Sequence, residues 1–87
     1  MRIKILGPGC ARCHQVEQTT KEVVKELGID ATIEAVKEVK KIIEYPILQT
    51  PGLVLNEELV CSGRVPTKAE VTTFITTALV KEEKSKE

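Results

Sequence analysis

The fold is decided by GPGCARCH, residues 7–14, which lies between an apolar run at residues 3–6 and an amphipathic pattern that begins near Ala11. This order predicts a strand, a turn and the start of a helix, with two thiols at the junction. If Cys10 takes the N-cap position, Cys13 falls three residues into the helix, on the same side and within disulfide reach. The spacing therefore permits a disulfide bridge without movement of the backbone.

A helix start at this point favours a thiolate at Cys10. The N–H groups of a first helical turn point toward such a sulfur, and the positive end of the helix dipole stabilises negative charge there. This placement lowers the pKa of a thiol from about 8.5 toward roughly 7 or below, and the cation of Arg12 should stabilise the thiolate further. Because the thiolate is the nucleophile in thiol–disulfide exchange, we expect Cys10 to attack and Cys13 to resolve.

Composition limits the possible partners. The 87 residues include 13 basic and 13 acidic side chains, one Tyr, one Phe and no Trp, so neither bulk charge nor stacking surfaces attract nucleic acid or an anionic membrane. No segment approaches the roughly 20 apolar residues of a membrane span, and the start of the chain lacks the apolar region of a signal peptide. We therefore expect a cytoplasmic protein without a nucleic-acid or membrane partner.

Three cysteines are too few, and too oddly numbered, for a secreted disulfide scaffold, so a close pair indicates redox or metal chemistry. The third, Cys61, is expected to lie on an edge strand, on the same face as Leu59, and to pack in the core of the domain. The alternative is a regulatory or dimer-forming thiol. His14 lies about 100° from Cys13 around the helix and is expected at the surface.

The remaining pattern predicts an α/β domain at residues 1–80 and a disordered charged tail at residues 81–87. The apolar stripe of the first helix comprises Val16, Val23, Val24 and Leu27, and Cys13 and Thr20 complete the same face, which is expected to be buried. The predicted elements are, in chain order, a strand at residues 2–6, a helix from residue 11 to a stop at Gly28, a strand at 31–36 parallel to the first, a short helix within 37–45, strands at 53–55 and 59–61, and a helix capped by Thr67 and Glu70.

The order β-α-β-α-β-β-α, with CARC at residues 10–13 and Thr50-Pro51 before the third strand, resembles the thioredoxin/glutaredoxin fold. More narrowly, it is similar to the small thioredoxin-like redox-active disulfide proteins of archaea and bacteria, over residues 1–79. The resemblance implies a four-stranded mixed sheet flanked by helices. It also implies a cis bond before Pro51, packed beside the disulfide, and backbone pairing of Thr50 with extended substrate.

Two functional hypotheses follow. The first is a small monomeric thiol–disulfide oxidoreductase that exchanges a Cys10–Cys13 disulfide with protein substrates, needs no bound cofactor and no metal, and is reset by an electron-donor reductase. The second is a soft-metal (Cu or Zn) binding or redox-sensing module on the same frame without turnover. Copper-chaperone domains also open with this cysteine spacing, but their order ends in a strand whereas this chain ends in a helix. A zinc site would need His14 and Cys61 as further ligands.

Overall fold

The predicted element order is confirmed by a computed structural model that describes residues 1–9, 11–47 and 49–85, with side chains through Glu82. The elements are β1 (Arg2–Leu6), α1 (Ala11–Leu27), β2 (Thr32–Val36), α2 (Val39–Ile42), β3 (Gly52–Leu55), β4 (Glu58–Ser62) and α3 (Lys68–Ser85). In the part of the chain so described, no helix combines the length and apolar character needed to cross a bilayer.

The sheet is mixed and four-stranded, with the order β2-β1-β3-β4. The strand β1 lies at its centre, as its nearly continuous apolar sequence predicts, because both of its faces are covered. It pairs with β2 in parallel, Ile3 opposite Ile33, and with β3 antiparallel, Ile5 opposite Leu53. The α/β fold class inferred from the sequence is therefore confirmed.

The hairpin between β3 and β4 turns on two residues, Asn56 and Glu57, whose φ angles are 50° and 69°. Positive φ at both central positions is the signature of the tight turn that matches strand twist. Glu58, which the sequence places in the loop, is the first residue of β4. The turn is tied to the start of the central strand, since Arg2 N–H donates to Asn56 Oδ1 at 2.9 Å and Asn56 N–H donates to Arg2 O at 2.8 Å.

The core divides between the two faces of the sheet. The larger cluster lies against α1 and α3 and comprises Ile3, Ile5, Val16, Val23, Leu53, Leu55, Cys61, Val71 and Ile75. The smaller lies on the face nearer α2 and comprises Leu6, Val36, Ile42 and Val54. The predicted stripe of α1 is confirmed at Val16 and Val23, whereas Leu27, at the helix end, is 40% exposed. The prediction of a core position for Leu27 was wrong because the chain turns away at Gly28, with φ 63°, and adds no further turn to cover it.

A bulge in β4 separates two residues that the sequence places on one face. Leu53 lies opposite Cys61 and Val54 lies opposite Leu59, which leaves Val60 as an extra residue in β4. An inserted residue reverses the alternation of side chains. Cys61 therefore packs in the larger cluster and Leu59 against the smaller one, so the prediction of a shared face was wrong.

The second helix is shorter than the range 37–45 predicted for it. It has four residues and starts after Glu38, whose backbone is extended and whose side chain makes no cap bond. A single turn directs one side chain at the sheet, so Ile42 is buried while Val39 and Ile43 are 68% and 69% exposed. The apolar spacing that predicts a longer amphipathic helix instead leaves two apolar side chains at the surface.

A polar triad holds the chain that follows α2. Lys4 Nζ donates to Glu57 Oε1 at 2.7 Å and to Tyr45 OH at 3.0 Å, and Tyr45 OH donates to Glu57 Oε2 at 3.0 Å. The hydrogen bond to Glu57, followed by that to Tyr45, raises the pKa of Lys4 above its ordinary value. The triad thus links β1, the hairpin turn and the segment that leads toward Thr50.

The last helix begins with the predicted capping box. Glu70 N–H donates to Thr67 Oγ1 at 3.2 Å, and Thr67 N–H donates to Glu70 Oε1 at 3.1 Å. Arg64 adds two hydrogen bonds to the same carboxylate. These bonds, first those of Arg64 and then that of the Thr67 backbone, lower the pKa of Glu70 to about 2.

The sequence predicts fraying from residue 81, whereas α3 continues through Ser85. Lys and Glu are good helix formers, and two of these side chains also contact the hairpin. Lys81 Nζ donates to Glu58 Oε2 at 3.1 Å, and Asn56 Nδ2 donates to Glu82 Oε1 at 2.7 Å. The predicted tail therefore begins as an extension of the helix; residues 86 and 87 lie outside the described residues.

Replacement of Glu70 by Gln tests this cap through its pH dependence. Since folding lowers the pKa of Glu70 from 4.5 to about 2, its ionised form stabilises the fold above about pH 4.5, and that contribution is lost as the pH falls toward 2. E70Q should therefore be less stable than the native chain at pH 7 and should lose less stability between pH 5 and 2. Urea unfolding across this range checks it, with E22Q on the exposed face of α1 as the control. An E70Q variant with the native pH dependence would contradict the assignment.

Candidate active site

The second cysteine of the CARC sequence is buried at the start of α1. The helix begins at Ala11, the residue after Cys10, and Cys13 is 5% exposed, on the same stripe as Val16 and Thr20. Cys10 lies outside the described residues, so its N-cap position and its disulfide distance to Cys13 stay predictions. What the fold establishes is a thiol held inward in the first turn of a helix that follows the central strand.

The sulfur of Cys13 lies against the backbone of Gly7. A Cβ built on Gly7 would overlap Cys13 Sγ, and it would lie 3.7 Å from Thr50 Cβ. The amide of Gly7 donates to Val36 O at 2.9 Å, which extends the β1–β2 pairing by one residue and fixes this backbone. Gly7 thus allows β1, α1 and the Thr50 segment to meet. The sequence places Gly7 only in the turn after the first strand; its position directly after a buried strand was the available signal for this role.

The predicted substrate segment reaches the same place. The bond between Thr50 and Pro51 is cis, as the resemblance implies. Pro51 is buried and Thr50 is exposed. Gly63 covers the segment from the end of β4, because its N–H donates to Pro51 O at 2.9 Å and a Cβ on Gly63 would lie 3.1 Å from Gln49 Oε1. Sequence reasoning did not assign Gly63 to the site.

An open groove of about 500 Å³ adjoins Thr50. Its walls are formed by Ile42, Ile43, Ile47 and Gln49 together with Thr50. The exposed Ile43 side chain gives it an apolar rim. The groove therefore provides an apolar surface beside the exposed end of the Thr50–Pro51 segment.

Two cationic side chains lie near the cysteine turn. Arg12 is exposed in the first turn of α1, between the cysteines in sequence. Lys37 lies beside Gly9, because a Cβ built on Gly9 would be 3.8 Å from Lys37 Cε and 3.9 Å from Lys37 Nζ. The sequence predicts a short helix within residues 37–45, whereas Lys37 precedes that helix and lies at the turn. His14 is exposed, as expected.

The family model for the thioredoxin domain matches residues 1–76 of this chain. The chain belongs to the thioredoxin family. It is 46% identical, over 71 residues, to a thioredoxin of Methanothermobacter thermautotrophicus, an alignment that covers 82% of this chain and 92% of the relative. It is also 39% identical over 69 residues to a thioredoxin of Methanocaldococcus jannaschii, with 79% of each chain covered.

Membership of the thioredoxin family makes the chain a small thiol–disulfide oxidoreductase. The hypothesis of a soft-metal or redox-sensing module without turnover is not favoured by relatives of this kind. Among the side chains that the structure describes, in residues 1–9, 11–47 and 49–82, no three of His, Cys, Asp and Glu are grouped as metal ligands would be. The two further zinc ligands that the sequence offered occupy different settings, since His14 is exposed on α1 and Cys61 is buried on β4.

Cys61 packs as a core residue of this thioredoxin fold. It is 9% exposed and belongs to the larger core cluster on the edge strand β4. Its Sγ lies 4.0 Å from Arg64 O, and burial raises the pKa of its thiol. A protonated buried thiol is a poor nucleophile, so core packing, the first interpretation from the sequence, is confirmed.

Replacement of Gly7 by Ala tests the contact with Cys13. The added methyl must displace Cys13 Sγ or the backbone, so G7A should lose about 1–3 kcal/mol of unfolding free energy in the reduced protein. The same replacement in a C13A background should cost clearly less, because the sulfur that it meets is gone. Denaturant unfolding of the native chain, both single variants and the double variant gives this coupling. Equal costs in the two backgrounds would contradict it.

Proposed function

We propose that the chain reduces disulfide bonds in protein substrates, with Cys10 as the attacking thiolate and Cys13 as the resolving thiol. The observation that carries these roles is the setting of Cys13, which is buried in the first turn of α1 against Gly7 and close to Thr50. A resolving thiol must be kept from solvent and from a second substrate while the first cysteine reacts. Its burial beside the substrate segment supports that role.

The reaction proceeds in two exchanges. The Cys10 thiolate attacks one sulfur of the substrate disulfide, so that a Cys10–substrate bond forms and the other substrate sulfur leaves as a thiolate that takes up a proton. The thiol of Cys13 loses its proton and attacks the sulfur of Cys10, which releases the second substrate sulfur. The substrate gains two electrons and two protons, and Cys10 and Cys13 become a disulfide. No bound cofactor enters the cycle.

Arg12 contributes charge to the first exchange. It follows Cys10 by two residues, lies in the first turn of α1 and is exposed. A guanidinium is always protonated, and a cation close to a thiol favours the thiolate form. The free N–H groups of the helix start act in the same direction. Together they increase the fraction of Cys10 that is nucleophilic near neutral pH.

Thr50 and Pro51 receive the substrate. In the described residues no backbone hydrogen bond engages Thr50, so its N–H and C=O groups are available to an extended chain. Pro51 is buried, and its carbonyl oxygen accepts a hydrogen bond from Gly63 N–H. A substrate strand that pairs with Thr50 extends the adjoining sheet, and its side chains reach the apolar groove beside Ile43. This arrangement brings a substrate disulfide to the cysteine turn.

The oxidised pair is returned to the dithiol by an electron-donor reductase. The chain acts as a monomer in the cytoplasm, where the reducing environment keeps Cys10 and Cys13 available as thiols. Residues 1–80 form the thioredoxin-like domain that carries the whole site. The close cysteine pair supports the cytoplasmic location. The balance of charges gives the chain no attraction to nucleic acid or to a membrane.

Replacement of Cys13 by Ser tests the two roles. C13S should still attack a protein disulfide such as those of insulin, but it cannot resolve the product, so it should accumulate a Cys10–substrate disulfide while turnover with dithiothreitol falls at least about tenfold. Intact-mass analysis without reductant detects the adduct. C10S is the matched variant and should form none, whereas C61A should keep native turnover. Trapping by C10S in place of C13S would reverse the roles, and trapping by neither would refute the mechanism.

A further inference from the structure

The backbone fixes where Lys37 begins. It follows Val36, the last residue of β2, and Val36 O accepts the hydrogen bond from Gly7 N–H at 2.9 Å. Because β1 and β2 run in parallel, their carboxyl ends lie at the same edge of the sheet. The side chain of Lys37 therefore starts one residue beyond the point where this pairing ends, beside the turn that leads from β1 to α1.

The side chain extends along this turn. Its Cε and Nζ atoms lie 3.8 Å and 3.9 Å from the position that a Cβ on Gly9 would occupy. Gly9 has a φ of 92° and is joined directly to Cys10 in the sequence. The ammonium of Lys37 therefore lies within a few ångströms of Gly9. The nucleophile follows Gly9 directly in the sequence, and neighbouring Cα atoms are about 3.8 Å apart.

The ammonium of Lys37 has no carboxylate partner among the described residues. In the part of the chain that the structure describes, Lys37 makes no ion pair. Other lysines do so: Lys4 with Glu57, Lys21 with Glu17, Lys68 with Glu26 and Lys81 with Glu58. An exposed lysine without a counter-ion among the described residues retains its full charge for a negative group nearby.

We propose that the ammonium of Lys37 stabilises the thiolate of Cys10 and so acts as a positioning residue for the exchange reaction. The inference rests on the proposed role of Cys10 as the nucleophile. It adds a second source of positive charge, supplied by the end of β2, to the charge that α1 supplies through its first turn. Gly9 is favoured at this position by its φ of 92°, a backbone conformation that other residues rarely adopt.

The other groups that approach the turn come from α1, from the residue after Lys37 and from residues 49–51. On α1 the titratable groups near the turn are Arg12, His14 and the buried Cys13, and after β2 Glu38 follows Lys37 and is exposed. Residues 49–51, which also approach the turn, carry no charge.

The remaining cations near this end of the sheet either pair with a carboxylate or lie farther along the chain. Arg64, on the loop after β4, is held by Glu70. Lys40 and Lys41 lie on α2, three and four residues beyond Lys37. Of these groups, Lys37 is the cation whose Nζ lies 3.9 Å from the position that a Cβ on Gly9 would occupy.

Replacement of Lys37 by Gln measures the effect as a shift of the Cys10 titration. The pKa of the Cys10 thiol should rise by about 0.5 to 1 unit, so its rate of alkylation below the pKa should fall about 3- to 10-fold. Trypsin cleaves after Lys4 and Arg12, which places Cys10 in the peptide 5–12 and separates it from Cys13. Iodoacetamide alkylation of reduced protein from pH 5 to 9, read by mass on that peptide, gives the pKa of Cys10 alone.

Three comparisons separate charge from structure. K37R keeps the cation and should keep the native pKa of Cys10. K40Q removes the same charge from an exposed lysine of α2 and should shift that pKa much less than K37Q. The difference between K37Q and the native chain should shrink in 1 M salt, since an exposed interaction is screened. All variants should unfold at the native denaturant concentration.

The inference is overturned by any of three results: an unchanged pKa of Cys10 in K37Q, an equal shift in K40Q, or a shift in K37Q that salt does not reduce. Each is read on reduced protein without substrate, so the titration gives an answer even where the trapping experiment with C13S fails. Conversely, successful trapping with an unchanged titration in K37Q would retain the proposed roles of Cys10 and Cys13 and reject the role of Lys37.

Discussion

The contact between the sulfur of Cys13 and the backbone of Gly7 is the constraint on which the rest of the site depends. It requires that β1 end in a residue without a side chain, that α1 begin soon after it, and that the first helical turn direct a thiol inward. A methyl at Gly7 would hold the helix away from the strand and from Thr50. The smallest residue in the chain thus determines how closely the reactive turn approaches the substrate segment.

The sheet brings four chain segments to one edge. The parallel register places the end of β1, at Gly7, beside the end of β2, at Lys37, and the antiparallel register places Leu6 opposite Gly52, so that Pro51 enters at the same edge. Gly52 lies opposite Ser62, which returns the chain to this edge at Gly63. A thiol, a cation and an exposed backbone therefore meet through strand pairing rather than through loop length. The family's thiol–disulfide chemistry depends on this arrangement.

The sequence predicts the element order, the parallel β1–β2 pair and the buried Cys13 because each follows from local patterns of apolar spacing, glycine and capping residues. It does not predict the bulge at Val60, because the identity of an extra residue depends on pairing with β3 across the hairpin. It predicts a second helix that is too long, because Val39 and Ile43 repeat at helical spacing but are exposed and have no surface to pack on. The contact of Lys37 with Gly9 depends on the register of two strands, which no local pattern contains.

A redox titration tests the central claim that Cys10 and Cys13 form a reversible two-electron couple. Metal-free protein would be equilibrated through a series of dithiothreitol or glutathione ratios, quenched with acid and alkylated, and the disulfide would be counted by mass on the peptides that contain the two cysteines. The account predicts one intramolecular bridge that forms and breaks reversibly, with a midpoint between about −200 and −300 mV and a tenfold change for every ~30 mV. Protein that retains two thiols at Cys10 and Cys13 across the whole series would contradict it.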